Sequence, residues 1–558
     1  MDSDVSHPQI SPSHFDLTVV GTGLPESLIA AAASAIGKSV LHLDPNSFYG
    51  GHFSSLSLDE FTYFLELQRG NKEGSQLPTL PFSETGSSNY VEVGLKIESL
   101  YSDVEVSSLG SSDDIGPSRK FSLDLCGPRI LYRAESSVSL MLKSGAIHHV
   151  EFKNIDASFI YGDNGELFPV PDSRGALFSN KSFELLEKDP VKALVGKKRL
   201  EMFFNLVQEH FSFNESKEEQ LKRISDEDLE TPFIDFLTKQ QLSSNIKRII
   251  LYAIAMVDYD QEGPCQCMNP YKTKDGIETL ALYFSSLSRD TNKRGPFIYP
   301  VYGQGELPQA FCRAAAVKGA LYVLHMPVRG LLFDKESREY KGLRLVSGQE
   351  VFSNQLVMGP SLSVPSQSVF SSLSKLPDKI FKEPILRDVT GQVARAVCIS
   401  RASIKPEISN LLVVFPPKSL SSKQLTSVRA LQLCSDASVC PPNLFVWYLS
   451  TLCDDAGQGK ESLRAAIDVL VKCSASKKIE NENVEALPTL LWSALYSQQL
   501  TKVSSDAISM CPTPDGNLDY RDMLESTEKL FQKLYPNEEF MPETNAPRSI
   551  IDEEIVVE

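Results

Sequence analysis

No stretch of this chain is long and apolar enough to cross a bilayer. The longest run, Leu28 to Ile36, is broken by Ser34, and a spanning helix needs about 20 apolar residues. The opening residues MDSDVSHPQISPSHF lack the apolar core of a secretion signal, and the closing residues IDEEIVVE hold no cysteine for prenylation. A cytosolic protein with no lipid of its own is the expectation. Basic charge is also short, 55 Lys and Arg against 72 Asp and Glu for a net charge of −17, which argues against nucleic acid as a partner. The ten cysteines are scattered, with Cys265-Gln266-Cys267 the one close pair. No metal-ligating spacing results, so no metal is expected, and the thiols read as free in a reducing compartment. No internal repeat is evident. What remains is an ordinary globular composition, 42% hydrophobic over 558 residues, enough for roughly two to four domains.

The most informative stretch runs from Phe15 to Gly51, FDLTVVGTGLPESLIAAAASAIGKSVLHLDPNSFYGG. It reads as strand, glycine turn, helix and second strand, the opening βαβ of a dinucleotide-binding domain, with Asp44 placed about 20 residues past Gly21 and Gly23 where such folds hold a ribose. One position disagrees. Where the third glycine belongs stands Glu26, preceded by Pro25. Proline removes a possible N–H donor to a phosphate but suits a first helical turn. Glu26 puts the protein's own carboxylate at the positive end of the helix dipole. A phosphate charge about 5 Å away would meet roughly 3 kcal/mol of repulsion at an effective dielectric near 20. The fingerprint Gly21, Gly23, Glu26, Asp44 therefore reads as vestigial, with no cofactor expected.

Beyond this unit the pattern assigns a polar terminus over 1–13 and a first α/β part over 14–171. An acidic segment over 70–118 reads as a flexible insertion. Strands are expected at Ala146 to Phe152, Ala157 to Tyr161 and Glu166 to Val170. An all-helical region over 172–275 follows, with helices at Lys198 to Phe211, Lys217 to Ile224, Pro232 to Gln240 and Ser244 to Met256. The run Gly175 to Ser182 is a near miss to a phosphate loop, with asparagine in place of its second glycine. The βα pattern returns over 276–545, where FIYPVYGQGELPQAF gives strand, turn and helix and the β-rich runs between 390 and 452 suggest an antiparallel sheet. An acidic tail over 546–558 closes the chain. The fold class expected is α/β (α+β, multidomain): a dinucleotide-binding fold like that of flavin oxidoreductases, with mixed β-sheets and an inserted helical domain.

These residues resemble a known family. FDLTVVGTGLPES…GKSVLHLDPNSFYGG and IETLALYFSSLSR…GPFIYPVYGQGELPQAFCRAAAVKGALYVL are similar to the two signature blocks of the Rab GDP-dissociation inhibitor and escort superfamily. The longer C-terminal part, with NENVEALPTLLWSALY and EKLFQKLYPNEEFMP, resembles the escort branch. The resemblance implies a non-catalytic accessory protein with no catalytic residues. It would bind Rab GTPases, preferentially with GDP, and present them to Rab geranylgeranyl transferase. It would then carry the geranylgeranyl group of the bound product, with transient membrane contact at delivery. It further implies a Rab-binding platform at Tyr49, Arg289, Tyr299 and Tyr302, residue types suited to anchoring an interface; Tyr299 also fits a strand core, and Arg289 a helix cap.

A twenty-carbon prenyl chain would cost on the order of 10–15 kcal/mol to expose, at about 0.8 per methylene. The carrier therefore needs an apolar slot. Phe233, Phe236, Leu237, Ile246, Ile250 and Ala253 fall at spacings that fit one, and they fit an ordinary helical core equally well. Phe233 or Phe236 with Lys247 or Arg248 are the candidates for docking the transferase. Two other readings stand beside this one: an inhibitor without transferase coupling, and a flavin-dependent oxidoreductase resting on the βαβ opening alone.

Overall fold

The computed structural model describes residues 7–70, 89–172, 190–211, 224–261, 270–288, 295–337, 339–364, 386–475, 489–504 and 508–543. Strand β1 (His14–Val20), helix α1 (Leu24–Ala35) and strand β2 (Val40–Leu43) form the expected opening unit. β1 lies between two parallel neighbours, β2 on one side and Glu350–Met358 on the other. Burial on both faces explains why its sequence is a nearly continuous apolar run. Leu321–Val323 adds a fourth parallel strand beyond β2. On the far side the sheet continues antiparallel through Tyr340–Leu345, Val328–Asp334 and Tyr90–Gly94. The alanines of α1 let it sink among the helices Glu306–Val317 and Arg521–Leu534, and they share one apolar cluster.

A second eight-stranded sheet runs Leu167–Val170, Ala157–Tyr161, Leu411–Phe415, Val428–Cys434, Phe445–Cys453, Leu386–Ser400, Leu490–Ser504, Tyr101–Ser108. Only its Ala157–Tyr161 and Leu411–Phe415 pair is parallel. Alternation along Leu386–Ser400 sends Val397 and Ile399 into a cluster shared with the helical region. Ala394, Ala396 and Cys398 go into another, against the helix Ala456–Ala475.

The helices Pro190–Phe211, Phe233–Lys239, Ser244–Arg248 and Thr273–Ser288 cover that first face. Between the third and fourth lies a buried π-helical turn, Ile249–Ile254. Phe233, Leu237 and Ile250 pack in one cluster with Leu412, Val414 and Leu431 of the sheet, so these helices share their core with the second sheet.

Several expectations change. Ala146–His149 is a 3₁₀ turn started by Gly145 at φ 77°, and the strand begins only at Phe152. The polar terminus is tied down from Ile10, which is buried and exchanges backbone hydrogen bonds with the Gln349 amide. The segment 70–118 is no loose insertion where it is described. Tyr90–Gly94 forms the edge of the first sheet and Tyr101–Ser108 the edge of the second. Small apolar islands among acids suffice there because an edge strand buries one side only. Residues 71–88, the phosphate-loop near miss, Cys265 and Cys267, most of the helix expected over 217–224, and the tail over 546–558 lie outside the described residues.

Arg395 cross-ties these layers. It is fully buried in the second sheet, where its guanidinium donates to Gln498 Oε1 (2.7 Å), to the carbonyls of Cys126 and Gly127 (3.0 and 2.9 Å) and to that of Asp515 (3.0 Å). Arg395→Met would leave the buried Cys126 and Gly127 carbonyls without these donors, while the Asp515 carbonyl keeps Arg129 (3.0 Å). The expected cost is about 3 kcal/mol or more, read as a fall of several degrees in the thermal unfolding midpoint.

Candidate functional site

The glycine turn after β1 is filled by the chain itself. Gly21 adopts φ 108°, which brings the first turn of α1 back over the strand end. The Glu26 side chain, 3% exposed, lies against Gly21, Gly23 and Gly359. A Cβ at Gly23 would stand 2.4 Å from its Oε2, and one at Gly359 would stand 2.7 Å from its Oε1. Burial pushes the Glu26 carboxyl up to about 8, with the neighbouring Asp44 charge adding to the shift. The group is therefore protonated at neutral pH, and its Oε2 has no hydrogen-bond partner.

Asp44 is also engaged. Its Oδ2 accepts from the Thr22 N–H (2.8 Å) and hydroxyl (2.7 Å), and its Oδ1 accepts from the Asn46 N–H (2.7 Å). A cleft of about 230 Å³ opens in front, and among the described residues no Lys or Arg lines it. A pyrophosphate finds neither its N–H cradle nor a cation here, and a ribose finds no free carboxylate. The site does not fit a dinucleotide. Inside the cleft His52 bridges Ser361 Oγ (2.6 Å) and the Tyr101 hydroxyl (3.1 Å). A tyrosine behind the histidine supplies no charge to stabilise an imidazolium, unlike the carboxylate of a hydrolytic triad.

Beside the cleft, two loops are locked together. After β2 the chain runs through Tyr49 and Gly50 to Ser55. The second loop, Tyr302 to Gly305, precedes the helix Glu306–Val317. Asp124 joins them from full burial: it accepts from Ser55 Oγ (2.6 Å), from the Gln304 N–H (3.0 Å) and from the Tyr299 hydroxyl (2.5 Å). The Gly305 N–H donates to Ser55 Oγ (2.9 Å). Gly303, at φ 102°, has no room for a side chain, since a Cβ would stand 2.4 Å from that same hydroxyl.

Tyr302 is held on both sides of its backbone. Its N–H donates to the Ala437 carbonyl (2.9 Å) and its own carbonyl accepts from the Ser122 hydroxyl. The side chain is 59% exposed on a left-handed backbone, φ 70°. A large aromatic projects to solvent from a fixed base. Tyr49 is half-buried, its ring centroid 6.3 Å from that of Tyr322, and burial raises its phenol.

The other sequence candidates separate. Tyr299 is fully buried, so it cannot touch a partner; its ring is core and its hydroxyl serves Asp124. Arg289 lies outside the described residues. Phe233, Phe236, Leu237, Ile246 and Ile250 are all buried in the shared core. Neither phenylalanine is exposed as an external anchor; helical spacing alone cannot tell a groove from a packed face. Lys247 and Arg248 do sit at the surface, Lys247 reaching Thr238 (3.3 Å) and Arg248 pairing with Asp163 (2.5 Å). The residue that sequence reasoning missed is Asp124. Its one signal is an acid between Leu123 and Leu125, the setting of a buried carboxyl.

Comparison with known proteins follows this geometry. The sequence model of the family described as GDP dissociation inhibitor matches residues 12–78 and 88–487. Rab escort protein 1 of Arabidopsis thaliana is 48% identical over 98% of this chain and 97% of its own length. The Drosophila melanogaster protein named Rab proteins geranylgeranyltransferase component A is 28% identical, over 97% of this chain and 92% of its own. A solved Rab GDI from Plasmodium falciparum superposes with a TM-score of 0.65 at 17% identity, covering 94% of this chain and 99% of that one; it shows a shared fold.

A pH prediction follows from Glu26. Its folded value near 8 lies above the unfolded value of 4.5. The folded state thus holds a proton that the unfolded state has lost, and stability falls as pH rises between the two values. Glu26→Gln removes that linkage. The variant should melt close to the parent at about pH 5 and above it at about pH 8, as followed by circular dichroism.

Proposed function

This chain belongs to the GDP dissociation inhibitor family, and from that premise we infer that it is a Rab escort protein. It binds GDP-bound Rab GTPases, presents them to Rab geranylgeranyl transferase for prenylation of C-terminal cysteines, and accompanies the lipidated product. It is an accessory component of that reaction and not an enzyme. The observation that carries this reading is the 48% identity to an escort protein over 98% of the chain. That match extends past residue 487, where the broader family model stops, and so favours escort over an inhibitor without transferase coupling. No helix among the described residues is long and apolar enough to cross a membrane, in keeping with a carrier that works from the cytosol and meets membranes only at delivery.

The Rab platform is built on the two locked loops. Tyr302 offers an exposed ring on a backbone that Ala437 and Ser122 hold in place, so little conformational freedom is lost when a partner covers it. Tyr49 lies on the companion loop, and Arg289 belongs to the same platform by its place in the second signature block. The prenyl chain is taken up by the helical region, whose buried Phe233, Phe236, Leu237, Ile246 and Ile250 must part to admit it. Lys247 and Arg248 are the surface cations next to that core and the candidates for meeting the transferase.

Two measurements check this. Tyr302→Ala should weaken Rab–GDP binding about tenfold, roughly 1.4 kcal/mol, with an unchanged melting point; Asp124→Asn should weaken binding and also lower the melting point. An unaltered affinity for Tyr302→Ala by titration calorimetry removes this residue from the platform. In a reconstituted mixture with the transferase and an unmodified Rab, the protein should support lipid transfer. Absence of transfer leaves the inhibitor reading in its place.

A further inference from the structure

The backbone beneath Tyr302 is anchored to the second sheet. Ala437, whose carbonyl accepts the Tyr302 N–H (2.9 Å), lies between the strands Val428–Cys434 and Phe445–Cys453. So does Val439, whose carbonyl accepts the Ser122 N–H (3.0 Å). Ser122 in turn donates its hydroxyl to the Tyr302 carbonyl.

One side chain of that sheet reaches the same place. Tyr448 is fully buried in Phe445–Cys453, a strand paired on both sides, with Tyr448 opposite Leu431 and Val397. Its hydroxyl accepts from the Asp124 N–H (3.2 Å) and donates to the Ser122 carbonyl (3.4 Å). Gly127 makes room for the ring, since a Cβ there would stand 2.6 Å from Tyr448 Cδ1. Burial raises the phenol well above its usual range, so it keeps the proton it donates.

This phenol therefore touches the two residues that hold the turn. Ser122 fixes the carbonyl of Tyr302, and Asp124 fixes Tyr299 before it and Gln304 after it. A side chain packed inside a sheet is a firmer reference than a loop. We propose that the Tyr448 hydroxyl is a positioning group of the Rab platform, setting Ser122 and Asp124 and through them the turn that presents Tyr302. The proposal rests on the platform reading given above. Being buried, Tyr448 meets no partner itself. Without the bridge the turn would sample more conformations, and a partner would have to order it on binding.

Tyr448→Phe keeps the ring and removes the bridge. In the free full chain, hydrogen exchange followed by mass spectrometry should quicken about tenfold in the peptide spanning 299–305. Calorimetry with Rab–GDP gives a second readout, a double-mutant cycle with Tyr302→Ala. Tyr448→Phe should weaken binding about threefold in the parent protein. It should cost little more once Tyr302 is alanine, because the ring it positions is gone. Ser122→Ala, altered at a partly exposed site, should reproduce both effects and keeps the test open if the buried variant melts early. Tyr340→Phe removes a phenol bond to Ser353 (2.9 Å) in the first sheet and should change neither readout. Unaltered exchange over 299–305 in Tyr448→Phe and Ser122→Ala overturns the proposal. So does a loss of affinity that is equally large in the Tyr302→Ala background. Should Tyr302→Ala itself bind Rab normally, the platform reading fails, and the exchange result alone decides whether Tyr448 positions the turn.

Discussion

The exposed turn that carries Tyr302 depends on one carboxyl group that solvent does not reach. Asp124 gathers three donors from two segments remote from it in sequence: Ser55 after the first loop, and Tyr299 and Gln304 at either end of the strand and turn that carry Tyr302. Burial alone would favour the neutral acid and pushes Asp124 up to about 6, while the three donors favour the charged form and hold it there. Tyr302 lies between Tyr299 and Gln304, so the same carboxyl fixes the chain on either side of it. The backbone beneath the exposed ring is thus set in advance, and only the side-chain rotamer remains free.

The glycine turn uses a carboxyl to the opposite end. In a dinucleotide-binding domain the N-terminus of the first helix waits for a phosphate. Here Glu26 occupies that place as a protonated side chain and Asp44 is tied to Thr22 and Asn46. Asp44 ties the turn to itself, Glu26 fills the space between its glycines, and the loop leaving Asp44 carries Tyr49. The fold has kept the geometry of the turn, which the strand and helix require, and changed what the turn holds.

The opening βαβ unit was legible because each of its features is local: an apolar strand buried on two sides, glycines where the chain must reverse, and an alanine-rich helix. Pro25 and Glu26 also disclosed the closed cradle, since their effect is confined to one helical turn. Tyr299 and Tyr302 came from one motif, with Tyr299 open to a strand-core reading, and the structure buries Tyr299 and exposes Tyr302. Alternation in a short strand does not tell which face is covered, and here both faces are. The period of Phe233, Phe236 and Ile250 fits a groove or a core equally well, and the sheet residues Val414 and Leu431 that share their cluster lie far along the chain. The Asp124 carboxyl acts through contacts across 69, 175 and 180 positions of sequence, and one chain read alone does not reveal those. The acidic stretch before residue 118 misled because edge strands need few apolar residues and tolerate charge.

That stretch has a consequence for the way such a carrier survives in solution. Tyr90–Gly94 and Tyr101–Ser108 take the last place in one sheet and then in the other, so a single short passage of chain closes an open margin on each. Open margins invite other chains to add on as further strands, and charged residues there discourage it. Glu92 sits on the first of these strands, held by Arg329 and Arg344, and Glu105 on the second, held by Lys460 and Arg464. One charged thread thus hems a border of each of the two large sheets.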